Sequence, residues 1–197
     1  MLQNIVPHLS LGDHVGFLEH KQRYVHHPVW RTAFYIHVFS SILTLLAGAT
    51  QFSGYILNHY RRLHRIMGRI YAGDIFFVNF PSGMILAITS NGAWHTSLAF
   101  ILLDCLWLGF TLKALIDIRK GDIDSHRRFM IRSYALTFSA ITLRSWNMLL
   151  SATVPIDPEY LYMINAWLGF VPNLLFAEYL IRSGVTYGRR LSKRPHS

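Results

Sequence analysis

With 197 residues, 52% of them hydrophobic, 14% aromatic and only 15% charged, the chain falls well below the charged fraction of about 25% typical of soluble domains. The formal net charge of +9 invites a nucleic-acid reading, but the basic residues stand in short clusters between apolar runs; no soluble surface is left to present them, which excludes nucleic acid as a partner. The single cysteine, Cys105, excludes an intrachain disulfide and a cysteine-built metal centre.

Residues 1–31 are mixed in character and rich in histidine (His8, His14, His20, His26, His27), without the basic start and continuous apolar core of a secretory signal. Leu11, Val15 and Leu18 recur at helical spacing, as expected of a short helix lying on the membrane surface. No pair of these histidines has a ligand spacing with a supporting partner, so a solvated segment is expected rather than a metal site. Five apolar runs follow, at about 33–57, 66–89, 96–117, 129–152 and 160–181. Each is long enough to cross about 30 Å of hydrocarbon at 1.5 Å per residue. They are too long for barrel strands and do not alternate, so the expected fold is all-α: a polytopic bundle of about five transmembrane helices within residues 32–182, followed by a basic tail at 183–197. The first span is expected to serve as its own uncleaved insertion signal.

Orientation follows from the lysines and arginines. Arg61, Arg62, Arg65 and Arg69 flank the first hairpin; Lys113, Arg119, Lys120, Arg127, Arg128 and Arg132 flank the third connection; Arg182, Arg189, Arg190, Lys193 and Arg194 follow the last span. All of these fall on one side, against Lys21, Arg23 and Arg31 on the other. The bias predicts a membrane protein with its N-terminus outside and its C-terminus in the cytoplasm, its tail lying on anionic headgroups or disordered. The outer connections near Asn91 and Asp157 carry turn residues, and Trp30, Tyr35, Trp94, Tyr160 and Tyr162 are expected to form an interfacial aromatic belt.

Ionisable groups inside a span are costly unless paired or hydrated, so each is a candidate for function. The helical rise places Asp104 and Arg144 at similar depth, about 3 and 6 Å outside the midplane; an ion pair is expected between them, either as a clamp or as a binding group. His37, Asn147 and Asn165 fall at nearby depths and with Arg144 would make a polar cluster in the outer half. Asp74 and Glu178 lie in the inner half, where Arg69 and Arg182 can neutralise them. Pro81 and Pro172 predict kinks, and Gly48, Gly54, Gly83 and Gly109 close helix approach.

Two stretches resemble one another: residues 58–71, NHYRRLHRIMGRIY, and residues 124–134, DSHRRFMIRSY. In the first, His64, Gly68 and Tyr71 share a helix face; in the second, His126, Met130 and Ser133 do, with Tyr134 beside them. Both stretches start helices running from inside to outside, as in parallel repeats about an axis along the membrane normal. Histidines at equivalent depth can ligate haem iron from opposite faces, and the arginines can hold propionates or lipid headgroups. Against haem, His64 and His126 sit at the mouths of their helices, and neither has a histidine one crossing away on the same helix.

The motifs FYIHVFSSILTLLAGATQF, LHRIMGRIY and IRKGDIDSHRRFMIRSYALTFSAITLR together resemble the bacterial membrane proteins grouped as domain of unknown function 2306. The likeness covers about residues 17–150. It implies the multi-span architecture and marks His37, His64, Arg69, Tyr71, His126, Arg127, Met130, Arg132, Ser133, Tyr134 and Arg144 as signature positions; it implies no particular chemistry.

Three functions remain open on these residues. A redox protein would bind haem b or quinone among His37, His64, His126 and Arg144, with metal ligation by the histidines only in the haem case. A carrier or sensor for a small anion or lipid would use Arg144, with Asp104 as its resting partner. A structural subunit of a membrane complex would need none of them. No nucleophile with its base, phosphate-binding glycine loop or metal-hydrolase signature is present, which disfavours a hydrolase.

Overall fold

The computed structural model describes residues 27–90, 94–155 and 157–184. The histidine-rich segment with its expected surface helix and nearly all of the basic tail lie outside the described residues. Every regular element among the described residues is helical: α1 (Pro28–Gln51), α2 (Gly54–His59), α3 (Arg61–Asp74), a π-turn (Ile75–Asn79), α4 (Phe80–Ile88), α5 (Trp94–Arg119), α6 (Ile123–Thr137), α7 (Ser139–Thr153), α8 (Pro158–Leu168) and α9 (Val171–Arg182). The fold is the expected all-α membrane bundle.

Local sequence sets the ends. Pro28 and Pro158 occupy the first turns of α1 and α8, where a missing N–H costs nothing. Ser53, Asp122 and Asp157 cap α2, α6 and α8, their side chains accepting from the backbone N–H of Ile56, Ser125 and Glu159. The core is a ring of contacts: α1 packs on α3, α4 and α6, α5 packs on α4, α6 and α8, and α9 packs on α6. Along the outside of α1, Ile36, Phe39, Leu43 and Leu46 form an exposed apolar stripe at spacings of three and four. Such a stripe would be untenable in water and is ordinary against lipid.

Four helices are long and apolar enough to cross a membrane: Pro28–Gln51, Arg61–Ile88, Trp94–Arg119 and Pro158–Arg182. The fourth expected run is not among them. It is divided at Phe138 into α6 and α7 and carries Arg144, Asn147 and a series of serines and threonines. The first expected run also ends early, because Phe52 and Ser53 separate α1 from the short α2. The last is interrupted at Gly169 and Phe170, just before Pro172. Trp30 does not join an aromatic belt: it is buried, stacks on Phe34 and donates Nε1–H to Thr89 Oγ1 at 2.9 Å. Trp94 and Tyr160 are exposed as expected.

Candidate functional site

The second span breaks its regular helix midway, and a polar ladder is built on that break. In the π-turn Phe80 N–H bonds to Ile75 O, so one extra residue is accommodated. Pro81, which has no N–H to give, follows directly. In a regular helix residues five apart point in different directions; here the π-turn brings Asp74 and Asn79 together, and Asn79 Nδ2 donates to Asp74 Oδ2 at 2.6 Å. The same amide donates to Thr44 Oγ1 at 2.9 Å, and Asn79 Oδ1 accepts from Ser41 at 3.0 Å. The Thr44 hydroxyl also bonds to the Asp74 carboxylate. Asn79 is fully buried, as is Thr44.

His37 closes the outer end of this ladder. Its Nδ1 lies 3.3 Å from Asn79 O and 3.3 Å from Ser82 Oγ. The Asn79 carbonyl can only accept, and the Ser82 hydroxyl is spent on Val78 O at 2.6 Å, so Nδ1 carries the hydrogen and Nε2 keeps a free lone pair. Across the helix seam stands Asp104 of α5, 5% exposed. The two are separated only by Gly83 of α4: a Cβ there would fall 2.7 Å from Asp104 Oδ2 and 3.1 Å from His37 Cε1. Arg144 of α7 lies within electrostatic range of His37 and donates from its guanidinium to Ala140 O of its own helix at 2.5 Å. The ion pairs among the described residues are Lys113 with Asp117, Arg127 with Asp124 and Arg132 with Glu178. Asp104 and Arg144 therefore approach His37 from different helices rather than pairing with each other. Asn165 is buried with Oδ1 unpartnered among the described residues, whereas Asn147 is exposed and leaves the cluster, because α7 beyond Arg144 turns Asn147, Met148 and Leu149 outward.

The two related stretches meet in the bundle. Tyr71 of α3 is fully buried, and its hydroxyl contacts Ser133 Oγ and Thr137 Oγ1 of α6 at 2.8 Å each. Trp107 Nε1 donates to Thr137 Oγ1 at 3.0 Å, and Thr111 Oγ1 lies 2.7 Å from Ser133 Oγ. Tyr134 donates to Leu45 O at 3.3 Å, and the rings of Tyr134 and Tyr71 both pack on Gly48 of α1. His126 Nδ1 bonds to Ala114 O at 2.8 Å; His64, whose Nδ1 is buried without a partner among the described residues, lies within electrostatic range of His126.

The flanking charges are arranged otherwise than expected. Arg69 is exposed and Asp74 is held by Thr44 and Asn79 instead. Glu178 takes Arg132 from α6 through two hydrogen bonds, Nε to Oε1 at 2.5 Å and Nη2 to Oε2 at 3.1 Å, while Arg132 also stacks over Phe129. Sequence reasoning missed Asn79, Ser82, Ser41 and Thr44. An asparagine two residues before a proline inside an apolar run was the available signal; the hydroxyl residues gave none, since serine and threonine are ordinary in membrane helices, where they bond to a carbonyl of their own helix.

No curated protein and no solved structure matches this chain. Residues 34–181 match the family described as predicted membrane protein (DUF2306). That match spans most of the chain and both related stretches, so the protein belongs to this membrane protein family.

Proposed function

We propose that the protein binds the polar head of a lipid-soluble carrier of the quinone class in the outer half of the bacterial inner membrane, with its N-terminus outside and its C-terminus in the cytoplasm, an orientation in which the divided α6–α7 segment crosses as a fifth span beside the four long helices. One observation carries this reading: an imidazole and a buried carboxyl, with Nε2 and the carboxyl oxygens unpartnered among the described residues, stand on either side of Gly83. Quinone carbonyls accept hydrogen bonds and its reduced form donates them, and His37, Asp104 and Arg144 offer both capacities. Haem ligation by His64 and His126 is less well supported, because Tyr71 bonds directly to Ser133 and Thr137 and fills the seam between the helices that carry them. Arg132, Tyr71 and Tyr134 then support the scaffold rather than a propionate, and Arg69 is exposed.

Thermal unfolding of the purified protein with ubiquinone and menaquinone analogues tests the reading. A rise in Tm is expected, lost in His37→Leu and Arg144→Leu; no shift with any quinone overturns it. Arg144, which has a backbone acceptor but no carboxylate partner among the described residues, favours a second reading as a small-anion or lipid carrier. That reading gains if anions or anionic lipids, and not quinones, give the shift.

A further inference from the structure

We infer that Asp104 and His37 form an intramembrane proton site, in which the Asp104 carboxyl holds a proton and can pass it to Nε2 of His37. Asp104 lies near the middle of α5, almost wholly buried, with no hydrogen bond or ion pair among the described residues. A carboxylate left in that condition within hydrocarbon is far costlier than the neutral acid, so the resting group carries its proton. His37 is the matching acceptor: its Nδ1–H is fixed on Asn79 O, which leaves Nε2 as the only ring atom able to take a proton. Asp104 Oδ2 and His37 Cε1 both border the space where a Gly83 side chain would stand, at 2.7 and 3.1 Å. Nε2, bonded to that carbon, lies beyond ion-pair distance of Asp104 and within reach of it through one water molecule.

In the transfer the O–H bond of Asp104 breaks and an N–H bond forms at Nε2, turning two neutral groups into a carboxylate and an imidazolium with no further reactant. The groups packed around the pair keep the proton on Asp104 at rest, because the Arg144 guanidinium opposes an imidazolium at His37 and Nε2 takes the proton only transiently. Arg144 from α7 is the charged group facing His37; α4 contributes the Ser82 hydroxyl and no ionisable side chain; α6 and α8, which also pack on α5, set no charge against Asp104. A metal cation does not fit the same space. Hard cations gather several oxygen ligands, whereas the neighbours here are a glycine, an imidazole carbon and a serine hydroxyl already donating to Val78 O. The site goes beyond quinone binding and stands without it.

The test is reaction of the full-length protein, in lipid nanodiscs and with no quinone added, with dicyclohexylcarbodiimide, which traps protonated carboxyls in apolar surroundings. Peptide mass analysis is expected to find the adduct on Asp104 and not on Asp74 or Asp117, whose carboxylates are held by Thr44 and Asn79 and by Lys113 and Ser125. Labelling should fall as pH is raised and vanish in Asp104→Asn. In His37→Gln the midpoint of that fall should move to lower pH, since the shared proton loses Nε2 as its second holding place. An unlabelled Asp104 at every pH overturns the proposal. So does protection by sodium at fixed pH, or a midpoint that ignores His37→Gln. Because no quinone is present, failure here leaves the quinone reading standing, and failure of the thermal assay leaves this one standing.

Discussion

Gly48→Ala is expected to cost the bundle about 2 kcal/mol, while Gly73→Ala, the same added methyl on a neighbouring helix, is expected to be neutral or stabilising. Replacing glycine by alanine inside a helix gains about 1 kcal/mol from backbone propensity alone. At Gly48 that gain meets two obstacles. The new Cβ would lie 2.6 Å from Cδ2 and Cε2 of Tyr134 and 2.8 Å from Cε2 of Tyr71. Neither ring is free to retreat: Tyr71 is anchored on Ser133 and Thr137, and Tyr134 on Leu45 O. Overpacking of this kind costs about 1–3 kcal/mol or more, enough to reverse the propensity gain. At Gly73 the Cβ meets nothing within 4 Å. Thermal unfolding of the two variants in one detergent decides the matter, and equal stability would refute the tyrosine packing described above.

Asn79→Leu is expected to destabilise the protein by about 2–3 kcal/mol, with Asn147→Leu as the indifferent control. Asn79 serves Asp74, Thr44 and Ser41 at once through its side chain. Leucine matches its bulk but takes a donor from Asp74 and from Thr44 and an acceptor from Ser41, leaving Asp74 with Thr44 alone and Ser41 with His37 O, and an undersatisfied buried group costs about 1–3 kcal/mol, more if charged. Hydrogen bonds inside membranes average only about 0.6 kcal/mol each, because the unfolded chain also finds partners there; this keeps the expected loss below the sum for a soluble core. Asn147 is exposed on α7, so leucine there trades a polar group for an apolar one against lipid. If Asn79→Leu unfolds at the wild-type temperature, the ladder does not hold α1 to α3 and α4.

What could be read in the sequence was what hydropathy and charge encode. The apolar runs, the basic clusters around Arg61 and Arg127 and the intramembrane His37, Asp104 and Arg144 all stand out against their neighbours, and those three residues do approach a common region. The resemblance between the two entry stretches also had a structural counterpart in the meeting of Tyr71 with Ser133. Depth alone misdirected the rest. It placed Asp104 opposite Arg144, but two side chains at one depth meet only if their helices also turn the right faces, and rotation is not written in hydropathy. The π-turn at Ile75–Asn79 escaped for the same reason: one extra residue leaves an apolar run just as apolar. Trp30 was assigned to a belt on composition, whereas Thr89 gives its indole a partner inside the fold.

The single surplus residue of that turn sets the phase of everything beyond it. Removing one lipid-facing position, such as Phe77 at 82% exposure, would take nothing from the core yet restore an unbroken spiral, swinging the outer half of the segment by about 100° against the inner half. Ser82 and Gly83 would rotate off His37 while Asp74 stayed in place. The span thus behaves as a two-part key whose teeth are cut at separate angles, and its working alignment depends on a spacer that contributes no chemistry of its own.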